Sequence, residues 1–361
     1  MKLNFKNLNT LPVITWRWLK VNDISLDTYS LPAIGVCNNL NITSPNVASI
    51  DTTPNAKELS EDFGFESINY GVSKEVKDYA LNNYNSSMVI KVNGHEKEPI
   101  RIEHIIDKNN LIDNNLIIAE ENSKINIIIQ YKSNDVVFHN GVTRILAKKG
   151  SEVNLIKIQT LNDNSHNFDS NVAICEYGAK VNFIEINLGS KFTVTNFISE
   201  LKDTSGEANV NSIYLGDGNR VIDLSYEILH KAMRTNSNII CKGVLMNNAK
   251  KIFRGTLNFK KGSSKSKGSE EEYVILLDST VKSDAVPLLI CDEDDVEGMH
   301  AASAGKIDES KLYYLMSRGF SEKEAKKLII EANFRPIIDL IPIEEIKKEI
   351  DTEIQRRLIN E

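Results

Sequence analysis

One short segment recurs along this chain at a fixed interval. It reads Asn122-Ser-Lys-Ile-Asn-Ile-Ile-Ile, then Gly150-Ser-Glu-Val-Asn-Leu-Ile, then Gly178-Ala-Lys-Val-Asn-Phe-Ile, with first residues 28 apart. Gly206, Arg234 and Gly262 continue the series at the same step, keeping turn-forming residues while losing the Val-Asn core. Each unit reads as a tight corner, an alternating strand such as Val153/Leu155 or Val181/Phe183, and a second apolar strand. Gly or Asn at the corner supplies the positive φ that a sharp turn requires. Alternation at period two sends one face inward. A repeat of roughly 20–50 residues marks an architecture in which stacked units bury a continuous core. No helical periodicity interrupts the units, which disfavours helical solenoids and leucine-rich repeats. The expected fold is therefore mainly β, a parallel β-helix of about 28 residues per coil, with Val153, Val181, Leu155 and Phe183 stacked in inward ladders. A β-sandwich is the alternative, but it does not require a constant step.

The flanks differ from the centre. Three segments are expected: a mixed, partly helical region over 1–80, the β-helix over 81–305 and a small helical domain over 306–361. The first holds Pro12, Pro32, Pro45 and Pro54 and shows little periodicity. In the last, residues 309–317 form a short helix stopped by Gly319. Ser321-Glu-Lys-Glu324 is a capping box opening a helix that presents Ala325, Leu328, Ile329 and Ala332. After Pro342, the residues Ile343, Ile346, Ile350, Ile354 and Leu358 make one apolar stripe that needs a partner surface.

A net charge of −7 gives no basic footprint for nucleic acid. The first residues contain no apolar run of signal-peptide length, and nowhere do about 18 apolar residues follow one another, so neither export nor a membrane span is expected. Cys37, Cys175, Cys241 and Cys291 are scattered, with no CxxC pair and no disulfide framework. A cytoplasmic location suits this usage. No Walker sequence is present, since Gly262-Ser-Ser-Lys-Ser-Lys-Gly268 has the wrong spacing, so no ATP site is expected. The lysines around it, Lys260, Lys261, Lys265 and Lys267, read as a solvated loop. The six histidines suggest no triad.

The segment richest in chemistry is Pro287-Leu-Leu-Ile-Cys-Asp-Glu-Asp-Asp-Val-Glu-Gly-Met-His300, in which five of the residues 292–297 are acidic. Carboxylates beside an imidazole orient its tautomer or raise its pKa, and His with Cys or carboxylate can bind iron. The plainer reading is a solvated acidic turn.

Between residues 221 and 341 the chain resembles the SufB/SufD family of iron–sulfur assembly proteins, in particular its SufD-like branch. The matching pieces are Thr235-Asn-Ser-Asn, Lys242-Gly-Val, Phe253-Arg-Gly, Pro287 with Asp294-Asp-Val, His300-Ala-Ala-Ser-Ala-Gly and Leu312-Tyr-Tyr-Leu-Met-Ser-Arg-Gly319. Likeness extends to roughly residues 120–341, and Thr15-Trp-Arg-Trp18 is faintly similar to a tryptophan-containing motif of the family. The resemblance implies a right-handed parallel β-helix with helical ends, and a non-catalytic scaffold. It also implies pairing with a SufB-like subunit, docking of a SufC-like ATPase through the C-terminal helices, and a transient Fe–S cluster at the paired interface. No cofactor is expected to be held tightly by the isolated chain, and a homodimer is conceivable without partners. His300 becomes the candidate cluster ligand or interface gate, with Cys291 a secondary candidate, because Gly298 stands where SufD-like chains often carry Cys. Rival readings are a SufB-like scaffold, against which Gly305-Lys-Ile-Asp308 and the few cysteines argue, and exported β-helix proteins such as a carbohydrate-active enzyme or an adhesion module.

Overall fold

A computed structural model describes residues 2–15, 17–26, 29–30, 35, 40–45, 48–52, 56–107 and 110–359. Trp16, Pro32, Cys37 and Pro54 lie outside the described residues. Two nine-stranded sheets face each other, and each coil contributes one strand to each of them. The front sheet is built from Ile100–Ile105, Lys124–Lys132, Glu152–Thr160, Lys180–Asn187, Glu207–Gly216, Asn236–Leu245, Ser266–Leu276 and Val296–Gly305. The back sheet is built from Ser86–Val92, Leu111–Ala119, Phe138–Ala147, His166–Cys175, Phe192–Leu201, Val221–His230, Lys250–Phe259 and Lys282–Cys291. Neighbouring strands are parallel throughout, except for one antiparallel strand that starts each sheet, Leu40–Thr43 and Ala48–Asp51. This is the parallel β-solenoid that the repeat requires.

The step is constant only where the repeat is clearest. Ile125 pairs with Val153 and Val153 with Val181, two steps of 28 residues. The pairs that follow, Val181 with Ala208, Ala208 with Ser237, Ser237 with Gly268 and Gly268 with Gly298, are 27, 29, 31 and 30 residues apart. One corner explains the constancy and the drift together. Asn122, Gly150, Gly178, Ser205, Arg234 and Lys265 all adopt positive φ there, between 55° and 67°. The N–H of each donates to a carbonyl of the next coil, of Lys149, Tyr177, Thr204, Met233, Ser264 and Asp295 in turn, at 2.6–3.2 Å. Two expectations are corrected. Ser205 rather than Gly206 takes the corner, and Gly262 belongs to a three-residue expansion that passes the corner to Lys265. The corner needs a left-handed residue, and its own hydrogen bond can hold a non-glycine there.

The asparagine of the recurring Val-Asn pair also has a reason. Asn126, Asn154, Asn182 and Asn209 stack on the outer face of the front sheet, each amide donating to the preceding one at 2.5–2.9 Å. Such ladders pin parallel, in-register stacking.

Three apolar layers result. Inside the solenoid, Val153, Leu155, Val181 and Phe183 are fully buried, as the alternation requires. On the outer face of the back sheet, Phe138, Val142, Phe168 and Val194 are covered by the N-terminal region, including Phe5, Leu8, Phe65 and Val76. This region holds the helices α1 (Ala56–Ser60) and α2 (Lys74–Asn82), the latter capped by Ser73, whose hydroxyl accepts from Val76 N. On the outer face of the front sheet lie α4 (Glu322–Ile338) and α5 (Glu344–Ile359), which follow α3 (Glu309–Ser317). The capping box of Ser321 and Glu324 opens α4, and Asp308 caps α3. The stripe Ile346, Ile350, Ile354 and Leu358 packs on Ile156, Ile184 and Ile213 of the chain's own solenoid. Along α4 the buried residues are Ala325, Ile330, Phe334, Ile337 and Ile338, whereas Leu328 and Ala332 face outward, contrary to the stripe expected there. Among the described residues no helix is long and apolar enough to cross a membrane.

Candidate functional site

Among the described residues, no strand covers the late end of the solenoid. Lys282–Cys291 and Val296–Gly305 are each the last strand of their sheet, with one neighbour apiece. No residue of Val296–Gly305 is buried, and Met299 is 68% exposed. A free parallel edge carries a row of unpaired N–H and C=O groups, ready to pair with another chain.

His300 stands on this edge strand. Its register partner in the coil below is Glu270, while Gly298, Ala302 and Ala304 lie over Gly268, Glu272 and Val274. Gly268, Glu270, Glu272 and Val274 are the buried, inward positions of their strand, so His300 stands in an inward column at the open end. A Cβ on Gly298 would lie 2.5 Å from Leu289 Cδ1. Leu289 thus packs against the bare Cα of Gly298, and its exposed end would have to move to admit a side chain there. Cys291 is exposed, and Asp292 and partial burial raise its pKa, with burial the larger cause. It lies two residues on the corner side of the Leu289–Gly298 contact, and His300 two residues on the other side. Four residues of strand separate the two along the coil, about 13 Å. The structure does not bring Cys291 and His300 together.

Nor does the acidic run meet His300. Asp292 pairs with Lys260 at 3.2 Å and Glu297 with Lys267 at 2.9 Å. Glu293 accepts from Gly262 N, and Asp295 from the Ser264 hydroxyl at 2.6 Å. Four of the five carboxylates are therefore engaged with the lysine-rich corner one coil below, two of them through Lys260 and Lys267. Among the described residues no group of three or more His, Cys, Asp or Glu is placed to hold a metal ion.

Behind the edge runs a feature that the sequence reading missed. Lys157, Glu185, Ser212, Cys241 and Glu272 occupy one inward column on successive coils. Lys157 pairs with Asp169 at 2.8 Å and Lys251 with Glu272 at 2.5 Å, all four buried. Tyr226 donates to Glu185 and Ser212, and Tyr214 to Glu272. At the far end, His139 bridges Asp113 and Asn167, and His104 is fully buried. The alternation in Leu155-Ile-Lys157-Ile-Gln159 already places Lys157 and Gln159 inward. A polar seam on the inner face was therefore readable.

Burial sets the protonation of this seam. It pushes Glu185 up to about 7 and Glu270 up to about 8, and it pushes His104 down to about 4 and His230 down to about 3. A carboxyl raised on folding gives stability that is fully present below its unfolded pKa and lost as pH rises through the folded value. A histidine depressed on folding loses stability as pH falls below its unfolded value. Between pH 5 and about 6.5 the two trends oppose one another, so urea unfolding is expected to show declining stability only from about pH 6.5 to pH 8, where the histidines are neutral in both states. Relative to wild type, Glu185→Gln should gain on the order of 2–3 kcal/mol in stability across pH 5 to 8, because its share of the carboxyl decline is removed. An unaltered slope in the variant would mean that Glu185 is ionised in the fold.

The C-terminal hairpin offers a second surface. No residue of α3 is buried. Tyr313 is 75% and Tyr314 56% exposed, with Met316, Phe320 and Leu328 beside them in sequence also exposed. Exposed large apolar side chains concentrated on this hairpin make it a candidate interaction surface.

Residues 104–333, well over half of the chain, match the family model described as SUF system FeS cluster assembly, SufBD core domain. The chain belongs to the SufB/SufD family. It is 27% identical over 286 residues to the iron–sulfur cluster assembly protein SufD of Bacillus subtilis, covering 77% of this chain and 65% of that one. It is 30% identical over 269 residues to an iron–sulfur cluster assembly SufBD family protein of Mycobacterium leprae, covering 72% of this chain and 31% of that one. The SufB protein of Bacillus subtilis is similar as well, at 27% identity over 253 residues, 68% of this chain and 54% of that one. The chain thus spans between about a third and two thirds of the length of these relatives. The match begins at the end of the strand Ile100–Ile105, takes in every later solenoid strand including the edge strand with His300, and ends within α4.

Proposed function

We propose that this SufB/SufD family protein is the SufD-like, non-catalytic scaffold subunit of a cytoplasmic iron–sulfur cluster assembly complex. One observation carries the reading: the solenoid ends in two uncapped edge strands, one of which presents His300 in an inward column. A SufB-like subunit with a similar open end completes the sheets there. The nascent cluster, as cargo, is then held at the junction, with His300 supplying an imidazole nitrogen, a good donor to iron in its neutral form. A SufC-like ATPase docks on the hairpin of α3 and α4, because the α5 stripe is already used on the chain's own solenoid. ATP-driven dimerisation of two such ATPases then strains the paired edge and exposes the cargo. Likeness to a SufD protein over most of the chain supports the SufD-like assignment.

The test is co-expression with SufB-like and SufC-like partners, followed by affinity recovery and iron and sulfide analysis. Tyr313→Asp is expected to lower ATPase recovery at least tenfold with an unchanged melting temperature, since Tyr313 is 75% exposed. His300→Ala is expected to leave all three subunits together while lowering iron and sulfide at least severalfold. Full ATPase recovery with the Tyr313 variant would move the docking surface elsewhere. Unchanged iron and sulfide in the His300 variant would reduce that residue to interface packing.

A further inference from the structure

We infer that Glu270 is a second donor at the open end, so that a divalent cation arriving there as cargo is held between the His300 imidazole and the Glu270 carboxylate. The inference rests on the reading of this end as the iron-handling site, and adds to it a residue from the coil beneath. Parallel register places the two residues directly over one another in one inward column. Adjacent parallel strands are about 4.8 Å apart, a spacing at which two long side chains can share one ion.

Three further observations single out Glu270. It is 2% exposed, yet its Oε2 has no hydrogen-bond partner among the described residues. An acceptor withdrawn from water and left unused costs on the order of 1–3 kcal/mol or more. Its neighbour Glu272 differs, being satisfied by Lys251 and Tyr214. Space for the Glu270 carboxyl is also made by the opposite wall. A Cβ on Gly255 would lie 2.2 Å from both Glu270 Cδ and Glu270 Oε1, so any other residue there would displace the carboxyl. Finally, the inward positions flanking His300 in the last coil are small, Gly298 and Ala302.

The pairing suits the cargo. Imidazole nitrogen and carboxylate oxygen are both ordinary donors to divalent first-row metals. Two protein donors leave the remaining positions to water, sulfide or a partner's side chain, as suits an ion that is held and then passed on. Other groups nearby do not compete: Cys291 lies beyond the Leu289–Gly298 contact, and the acidic run is engaged by the lysine corner.

The experiment uses the full chain, purified free of metal, with Co(II) as a spectroscopic stand-in for ferrous iron. Binding is followed by visible d–d absorption and by calorimetry for wild type, Glu270→Gln and His300→Ala. One Co(II) per chain is expected in the wild type, with affinity lowered at least tenfold in each variant. The Glu270→Gln melting temperature should be equal to the wild-type value or higher, because an isosteric amide keeps the packing. Wild-type affinity in Glu270→Gln alongside lost binding in His300→Ala would overturn the role of Glu270 and leave the His300 reading standing. Absence of Co(II) binding by the wild-type chain would also overturn it, without touching the partner recovery measured above. A Glu270→Gln chain with reduced melting temperature would mark a packing role. In that case Glu270→Asp, which keeps the donor, must restore Co(II) absorption for the inference to survive.

Discussion

Val181→Asp is expected to unfold the solenoid at its centre. Val181 is fully buried, pairs with Val153 on one side and Ala208 on the other, and stands in the interior cluster with Leu155 and Phe183. A carboxylate there has no partner in its column and must either ionise in an apolar core or take up a proton. Either way the cost is about 3–5 kcal/mol, a large share of the roughly 5–15 kcal/mol by which a domain is stable. In a solenoid the interior of each coil is built on its two neighbours, so a break at a central coil disrupts the stack on both sides. Circular dichroism should show loss of the cooperative melt or a fall of many degrees. A melting temperature within about 2 °C of wild type would mean that the position is not core.

Arg254→Met is expected to be comparably damaging, for an electrostatic reason. The Arg254 guanidinium is fully buried on the outer side of the back sheet and pairs with Asp223 at 2.5 Å. Its Nε donates to Val21 O at 2.8 Å, and Asn9 donates to Asp223 at 2.6 Å. This pair therefore clasps the N-terminal segment to the late coils, beside the contact of Leu11 and Val21 with Val286 and Leu288. Removing one partner strands Asp223 as a buried charge, at a cost of about 3–5 kcal/mol. The double variant Asp223→Asn/Arg254→Met should regain much of that stability, since no lone charge remains. Limited proteolysis gives a separate readout, with faster cleavage within residues 1–26 in the single variant. If the double variant is no more stable than the single one, the loss comes from packing and not from the stranded charge.

The recurrence of Asn122, Gly150 and Gly178 was legible because a stacked corner imposes the same backbone conformation on every coil, and few residues satisfy it cheaply. Legibility faded at Ser205 and Lys265, where the hydrogen bond from each corner to the next replaces the intrinsic preference of glycine or asparagine. The helical end was readable for the same local reasons, since Asp308, Ser321 with Glu324 and Gly319 are cap residues acting within one turn. His300 was found through family likeness. Alternation alone would have marked the inward Glu270 and Glu272 in the strand below it.

By itself, then, the sequence determined what depends on neighbours within about one coil: the corner, the period, the alternation of Val153/Leu155 and Val181/Phe183, and the helix boundaries. Tertiary structure alone decided which surfaces those elements cover. The stripe from Ile346 to Leu358 turned toward the chain's own front sheet and left Tyr313 and Tyr314 outside. The acidic run went to the lysine corner and left His300 over Glu270. Apolar faces and charged loops carry no address in one dimension, because burial and Coulomb energies depend on what the fold brings within a few ångströms.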